Sequence, residues 1–146
     1  MYFVDRQKIE ETLKHYDRQL NLFSVVPTWE TNIEKAALER IAHILIEAVL
    51  DVGNAMIDGF IMRDPGSYED IIDILLDEKV VDETLGQALK TLVEFRKPLV
   101  QNYLQVNHDE IVQCITQDKE VLSTFSPAIR DYLTNELGPV SAFKPL

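Results

Sequence analysis

The chain has 146 residues, 46% of them hydrophobic and 27% charged, enough apolar material for one domain with a real core. Its 14 Lys and Arg stand against 25 Asp and Glu, a net charge of −11 that argues against broad, non-specific nucleic-acid binding. That balance leaves room for a small basic pocket or for a partner with a basic face. No apolar run reaches the roughly eighteen residues that span a membrane, and the opening six residues carry no secretory pattern. The single cysteine, Cys114, excludes an internal disulfide framework and fits a cytoplasmic location.

From Asp5 to Phe23 the apolar residues Ile9, Leu13, Tyr16, Leu20 and Phe23 form one helical stripe, with Asp5 as the N-cap. Pro27 ends the connection, and Thr28 or Thr31 can cap the next helix, predicted from Thr31 to Phe60 and about 45 Å long. Ile33, Ala37, Ile41, Ile44, Leu45, Ala48, Val49, Val52 and Ile57 make it apolar around much of its circumference, so it is expected to be central. One line along it is polar throughout: Arg40, His43, Glu47, Asp51, Asn54 and Asp58. The line reads either as a solvated outer face or as a seam turned into a cleft or subunit interface. Glu47 and Asp51 are the expected partners for an Arg on a neighbouring helix.

The turn Asp64-Pro65-Gly66-Ser67 ends in a cap at Ser67, with Asp70 placed as in a capping box, before a short helix from Tyr68 to Glu78. Asp82 caps a further helix through Leu85, Leu89, Leu92 and Val93, expected to run on into Arg96–Tyr103. Asn107 caps a helix carrying Ile111, Cys114, Ile115, Val121, Leu122 and Phe125, in which Cys114 reads as a small core residue with no basic neighbour. Ser126 is the expected cap, and Pro127 the first residue, of a last helix ending at Leu137 before Gly138-Pro139. Residues 138–146 then form a tail outside a single domain of residues 1–137. No alternating stretch is long enough for a sheet, so the class is all-α, an up-and-down bundle of about five or six helices.

The stretch Phe95-Arg96-Lys97-Pro98-Leu99-Val100-Gln101-Asn102-Tyr103 breaks local rules. Pro98 removes one backbone donor and crowds the carbonyl of Glu94, so a kink is expected. On a continuous helix, Arg96 and Tyr103 would share a face. Arg96 can grip a phosphate or carboxylate through its planar fork of donors, or it is simply a surface residue on a kinked helix. Elsewhere there is no glycine-rich phosphate loop and no dinucleotide fingerprint. One cysteine and three widely separated histidines, His15, His43 and His108, argue against a Cys/His zinc site or a four-helix di-metal site, and neither metal nor cofactor is expected.

An all-helical domain of this length with Arg96, Gln101 and Tyr103 in that stretch resembles the HEPN superfamily, and within it the HepT-like toxin ribonucleases, notably those of Bacillus-type bacteria. The likeness extends over Val4-Asp5-Arg6, Arg40 to Ala48, and Met62 to Tyr68. The resemblance implies metal-independent RNA cleavage at a homodimer seam, beside an MNT-type nucleotidyltransferase antitoxin. Arg96 would neutralise the scissile phosphate, Tyr103 would be the acceptor for a silencing AMP, and Glu47, Asp51 and His43 would support the site. The family's catalytic His is replaced here by Gln101, which cannot titrate near neutral pH. The alternative is a non-catalytic HEPN module that binds a nucleotide, RNA or a nucleotidyltransferase partner. Geometry adds one expectation: five residues at about 100° each put Gln101 roughly 140° around a helix from Arg96. Either the helix bends at Pro98, or two copies pair one chain's Arg96 with the other's Gln101.

Overall fold

The computed structural model describes residues 4–136; the expected tail and the predicted helix end at Leu137 lie outside the described residues. Among the described residues, seven α-helical segments follow one another: α1 (Arg6–Val25), α2 (Asn32–Gly59), α3 (Tyr68–Asp77), α4 (Glu83–Val93), α5 (Arg96–Val100), α6 (His108–Leu122) and α7 (Phe125–Glu136), with a 3₁₀ turn at Tyr103–Gln105. Six of the seven run to ten residues or more. The all-α bundle read from the pattern is the fold.

The caps fall where the side chains demand. Asp5 accepts from the backbone of Gln7 and Lys8, Thr31 and Glu34 close a reciprocal capping box, and Asp82 and Asn107 cap α4 and α6. Ser67 accepts from the Asp70 N–H, but Asp70 does not complete a box. Its carboxylate instead takes both terminal nitrogens of Arg63, at 2.8 and 2.9 Å, and the Gly66 N–H. A bidentate guanidinium outcompetes a single backbone donor for a carboxylate.

α2 is the central helix, packed against α1, α3, α4, α5 and α6. Leu38, Ile41, Ala42, Leu45, Ile46, Val49, Val52 and Met56 are buried along it. Two of the expected core residues are corrected: Ile33 is 84% exposed and Ala37 is also exposed. Both lie in the first two turns of α2, ahead of Leu38, the first of its residues to be buried. Gly53 and Gly86 mark two close helix approaches. A Cβ on Gly53 would meet Ile71 Cγ2 at 2.5 Å, and one on Gly86 would run into the Leu76 side chain, so α3 packs closely on both α2 and α4.

The far end of the chain closes the bundle over α1. The buried Tyr16 hydroxyl donates to the Leu122 carbonyl at 2.8 Å, and its ring packs on Phe125. Phe125 is the first residue of α7 rather than the end of α6, because the chain turns at Ser123 and Thr124. Ser126 therefore lies inside the first turn of α7 and is not its cap. It donates to Asp17 at 2.8 Å, an α1 partner that satisfies its buried hydroxyl better than a helix end would. Arg130 grips Glu10 on α1 through Nε and Nη2.

Candidate functional site

The long helix expected from Asp82 through Tyr103 is broken twice. α4 stops at Val93, and the Phe95 N–H tightens onto the Leu92 carbonyl before α5 begins at Arg96. The break thus lies four and three residues before Pro98, where the proline ring would clash with the Glu94 carbonyl. Pro98 itself sits in the first turn of α5, where an N–H would have no intrahelical partner. The second break follows Val100. Lys97 O accepts from both Gln101 and Asn102, and Asn102 leaves helical geometry at φ −108°, ψ 45°. Tyr103 then starts a 3₁₀ turn. The expectation that Arg96 and Tyr103 share a helix face is therefore overturned, since no continuous helix joins them.

Arg96 is held, not loose. Its Nε donates to Glu47 Oε1 at 2.7 Å, and its Cζ lies 4.3 Å from the centre of the Tyr68 ring. The side chain is 21% exposed and that of Glu47 32%. The Glu47 hydrogen bond, against the opposing effect of burial and with help from the Glu47 charge, raises the pKa of a guanidinium already charged at any working pH. The expected Glu47 partnership is present. His43 Nε2 lies 3.7 Å from the same Glu47 oxygen. The other four members of the polar line, Arg40, Asp51, Asn54 and Asp58, are exposed, so the line is solvated except at the half-buried His43 and Glu47.

Asp51, the other expected partner, does not reach Arg96. It lines a separate hollow with Asp5, Lys8 and Thr12 of α1, and its carboxyl is raised by burial first and by the Glu47 charge second. Arg96 and Gln101 line one open groove of about 420 Å³, together with Ser67, Tyr68, Lys90 and Lys97 and the acids Glu69 and Glu94. Lys90 is paired with Asp73. Tyr103 lies outside that groove at 65% exposure, beside Leu104 at 90% and Val100 at 37%. Tyr68 was not singled out from sequence. The signal was local: the Ser67 cap fixes the start of α3, and hence where its first side chain stands.

His108 pairs with Glu39 of α2 at 2.9 Å and not with Glu47. Cys114 is not a core residue but half-buried on the wall of a groove between α4 and α6. Burial and the nearby Asp118 and Glu94 push its thiol up to about 11, which keeps it protonated. Among the described residues, no group of three or more His, Cys, Asp or Glu is placed to hold a metal ion.

A family model described as ribonuclease HepT-like matches residues 7–129. The chain belongs to the HepT-like family. It is 56% identical over 144 residues to the Bacillus subtilis (strain 168) protein YutE, a candidate RNase, covering 99% of this chain and all of that one. The structure of YutE, described as a cytosolic protein of unknown function, superposes with a TM-score of 0.90 over 98% of this chain and 100% of its own. Two toxin structures share the HepT-like fold at lower identity. One is a toxin–antitoxin with AMP-PNP (TM-score 0.73, 17% identity, 85% of this chain and 96% of that one). The other is a tri-AMPylated HEPN toxin of Shewanella oneidensis in complex with an MNT antitoxin (TM-score 0.72, 20% identity, 86% and 95%). No helix among the described residues is long and apolar enough to cross a membrane.

Proposed function

We propose that this HepT-like domain takes a phosphate of an RNA strand on Arg96. The activity is that of a metal-independent endoribonuclease or toxin, reduced or silenced because Gln101 stands in place of a proton-transferring His. One observation carries the reading: Glu47 occupies the Nε edge of Arg96 and Tyr68 one face, while the terminal nitrogens make no protein hydrogen bond among the described residues. A guanidinium presented that way suits a phosphate in two-pronged contact. Attack by a 2′-hydroxyl also requires a group that accepts its proton, and an amide does not. General acid–base catalysis is worth roughly 10²–10⁴ in rate, so charge stabilisation alone leaves a weak enzyme or a binding module for RNA, a nucleotide or a protein partner.

The exposed Val100, Tyr103 and Leu104 supply the apolar surface for a homodimer seam at this site. The exposed Tyr103 hydroxyl is the acceptor proposed for AMP from an MNT-type nucleotidyltransferase partner, and the resulting negative charge would act against RNA near Arg96. A second reading is favoured by the 3.7 Å approach of His43 to the carboxylate that holds Arg96: His43 then supplies the proton transfer that Gln101 cannot.

Cleavage of RNA in the presence of a chelator decides between these. Weak or absent cleavage by the native protein, a gain in Gln101→His and a loss of that gain in Gln101→His with Arg96→Ala are expected. Native cleavage that survives Arg96→Ala would remove Arg96 from the mechanism. Native cleavage abolished by His43→Ala would assign the proton transfer to His43.

A further inference from the structure

Two restraints act on the Arg96 guanidinium, and neither substitutes for the other. The Glu47 hydrogen bond at 2.7 Å pins the Nε edge but leaves the plane free to rock about that bond. The Tyr68 ring, 4.3 Å from Cζ, covers one face and removes that freedom. The two groups come from different helices, Glu47 from the middle of α2 and Tyr68 from the first position of α3. The ring's place is itself fixed. Ser67 caps α3 through the Asp70 N–H, and Arg63 and Gly66 hold the Asp70 carboxylate from the loop before it.

Tyr68 is not there to fill the core, since it is 50% exposed. Its hydroxyl makes no hydrogen bond among the described residues, so what it contributes is the ring over the guanidinium. We propose that Tyr68 is a positioning residue: it sets the plane of Arg96 so that the terminal nitrogens face the groove shared with Ser67, Lys97 and Gln101. This rests on the phosphate-binding reading of Arg96. A long side chain ordered before binding loses less rotamer freedom when the ligand arrives, and its two-pronged contact forms without a search.

The test has an arm that needs no RNA. Phenylglyoxal modification of Arg96, followed by peptide mass spectrometry, reads how well the guanidinium is shielded. Native protein and Tyr68→Phe are expected to react equally slowly, and Tyr68→Leu at least about threefold faster, in line with loss of a cation–π contact. Equal rates in native and Tyr68→Leu overturn the proposal. The second arm is affinity for a single-stranded RNA oligonucleotide, with thermal melting as the check on folding. Tyr68→Leu is expected to weaken binding about fivefold and Tyr68→Phe less than about twofold, with no further loss from Tyr68→Leu once Arg96→Ala is present. A full, additive loss in that background would show the ring acting on RNA by itself and overturn the positioning role. Unchanged RNA affinity in Arg96→Ala, with the modification result as expected, would fault the phosphate-binding reading and leave the positioning intact.

Discussion

Replacing Glu47 by glutamine keeps the shape of the side chain and withdraws the charge that holds Arg96. The contact is short, 2.7 Å, and its two side chains are 21% and 32% exposed. That exposure puts it between two regimes. A solvated ion pair contributes about 0–1 kcal/mol, whereas removing one partner of a fully buried pair costs about 3–5 kcal/mol. A charge-assisted hydrogen bond is worth about 1.5–3 kcal/mol, of which the amide oxygen of glutamine recovers part. The expected loss is about 1–2 kcal/mol, or a fall in Tm of about 2–8 °C in a chain of this size. Urea unfolding followed by far-UV circular dichroism, on Glu47→Gln, Arg96→Leu and the double variant, gives the pairwise term directly. A coupling of about 1 kcal/mol is expected, and one below about 0.3 kcal/mol would refute the claim that Glu47 holds Arg96. The same substitution removes a like charge from Asp51, so the raised Asp51 pKa is expected to drop, a change that carboxyl-resolved NMR titration reads.

Ile61 ends α2 in the left-handed region, φ 56°, with the Met62 N–H reaching back to the Ile57 carbonyl at 2.9 Å. A branched side chain is strained there and this one is 66% exposed, so Ile61→Gly should stabilise by about 1 kcal/mol in urea unfolding; a loss would show that the side chain makes a contact of greater value. Gly53→Ala should do the reverse. The new methyl meets the stiff, buried Ile71, an overpacking cost of about 1–3 kcal/mol that outweighs the roughly 1 kcal/mol of helix propensity gained. Asp70 is held down at about 2, by the Arg63 hydrogen bonds first and the Gly66 N–H second. A depressed carboxyl contributes stability that is complete above its unfolded value and is lost as pH falls through the folded one. Stability should therefore decline between about pH 4 and pH 2, and Asp70→Asn should flatten that part of the curve measured by urea unfolding.

Most of the bundle was legible in apolar spacing and caps. The stripe from Ile9 to Phe23, the caps at Asp5, Asp82 and Asn107, and Thr31 as one of two candidate caps all depend on residues close in sequence, and all are present. The Arg96–Glu47 pair was also legible, because a half-buried acid on a mostly apolar helix requires a cation. What escaped depended on distant geometry. Whether Ile33 is covered depends on what packs over the start of α2, and whether Ser126 caps or pairs depends on Asp17, more than a hundred residues away. The break ahead of Pro98 was legible in the proline and its clash with the Glu94 carbonyl; the second break, at Asn102, was not, and it separates Tyr103 from the helix of Arg96. Tyr68 escaped because nothing in its own spacing says which side chain its ring will cover.

The account turns on whether Arg96 receives a phosphate, and RNA binding as a function of salt tests that most directly. Native protein and Arg96→Ala are titrated with one single-stranded oligonucleotide across a range of potassium chloride. Loss of one phosphate contact should weaken binding at low salt and reduce the log–log salt slope by about 0.7. Equal affinities with identical slopes would contradict it.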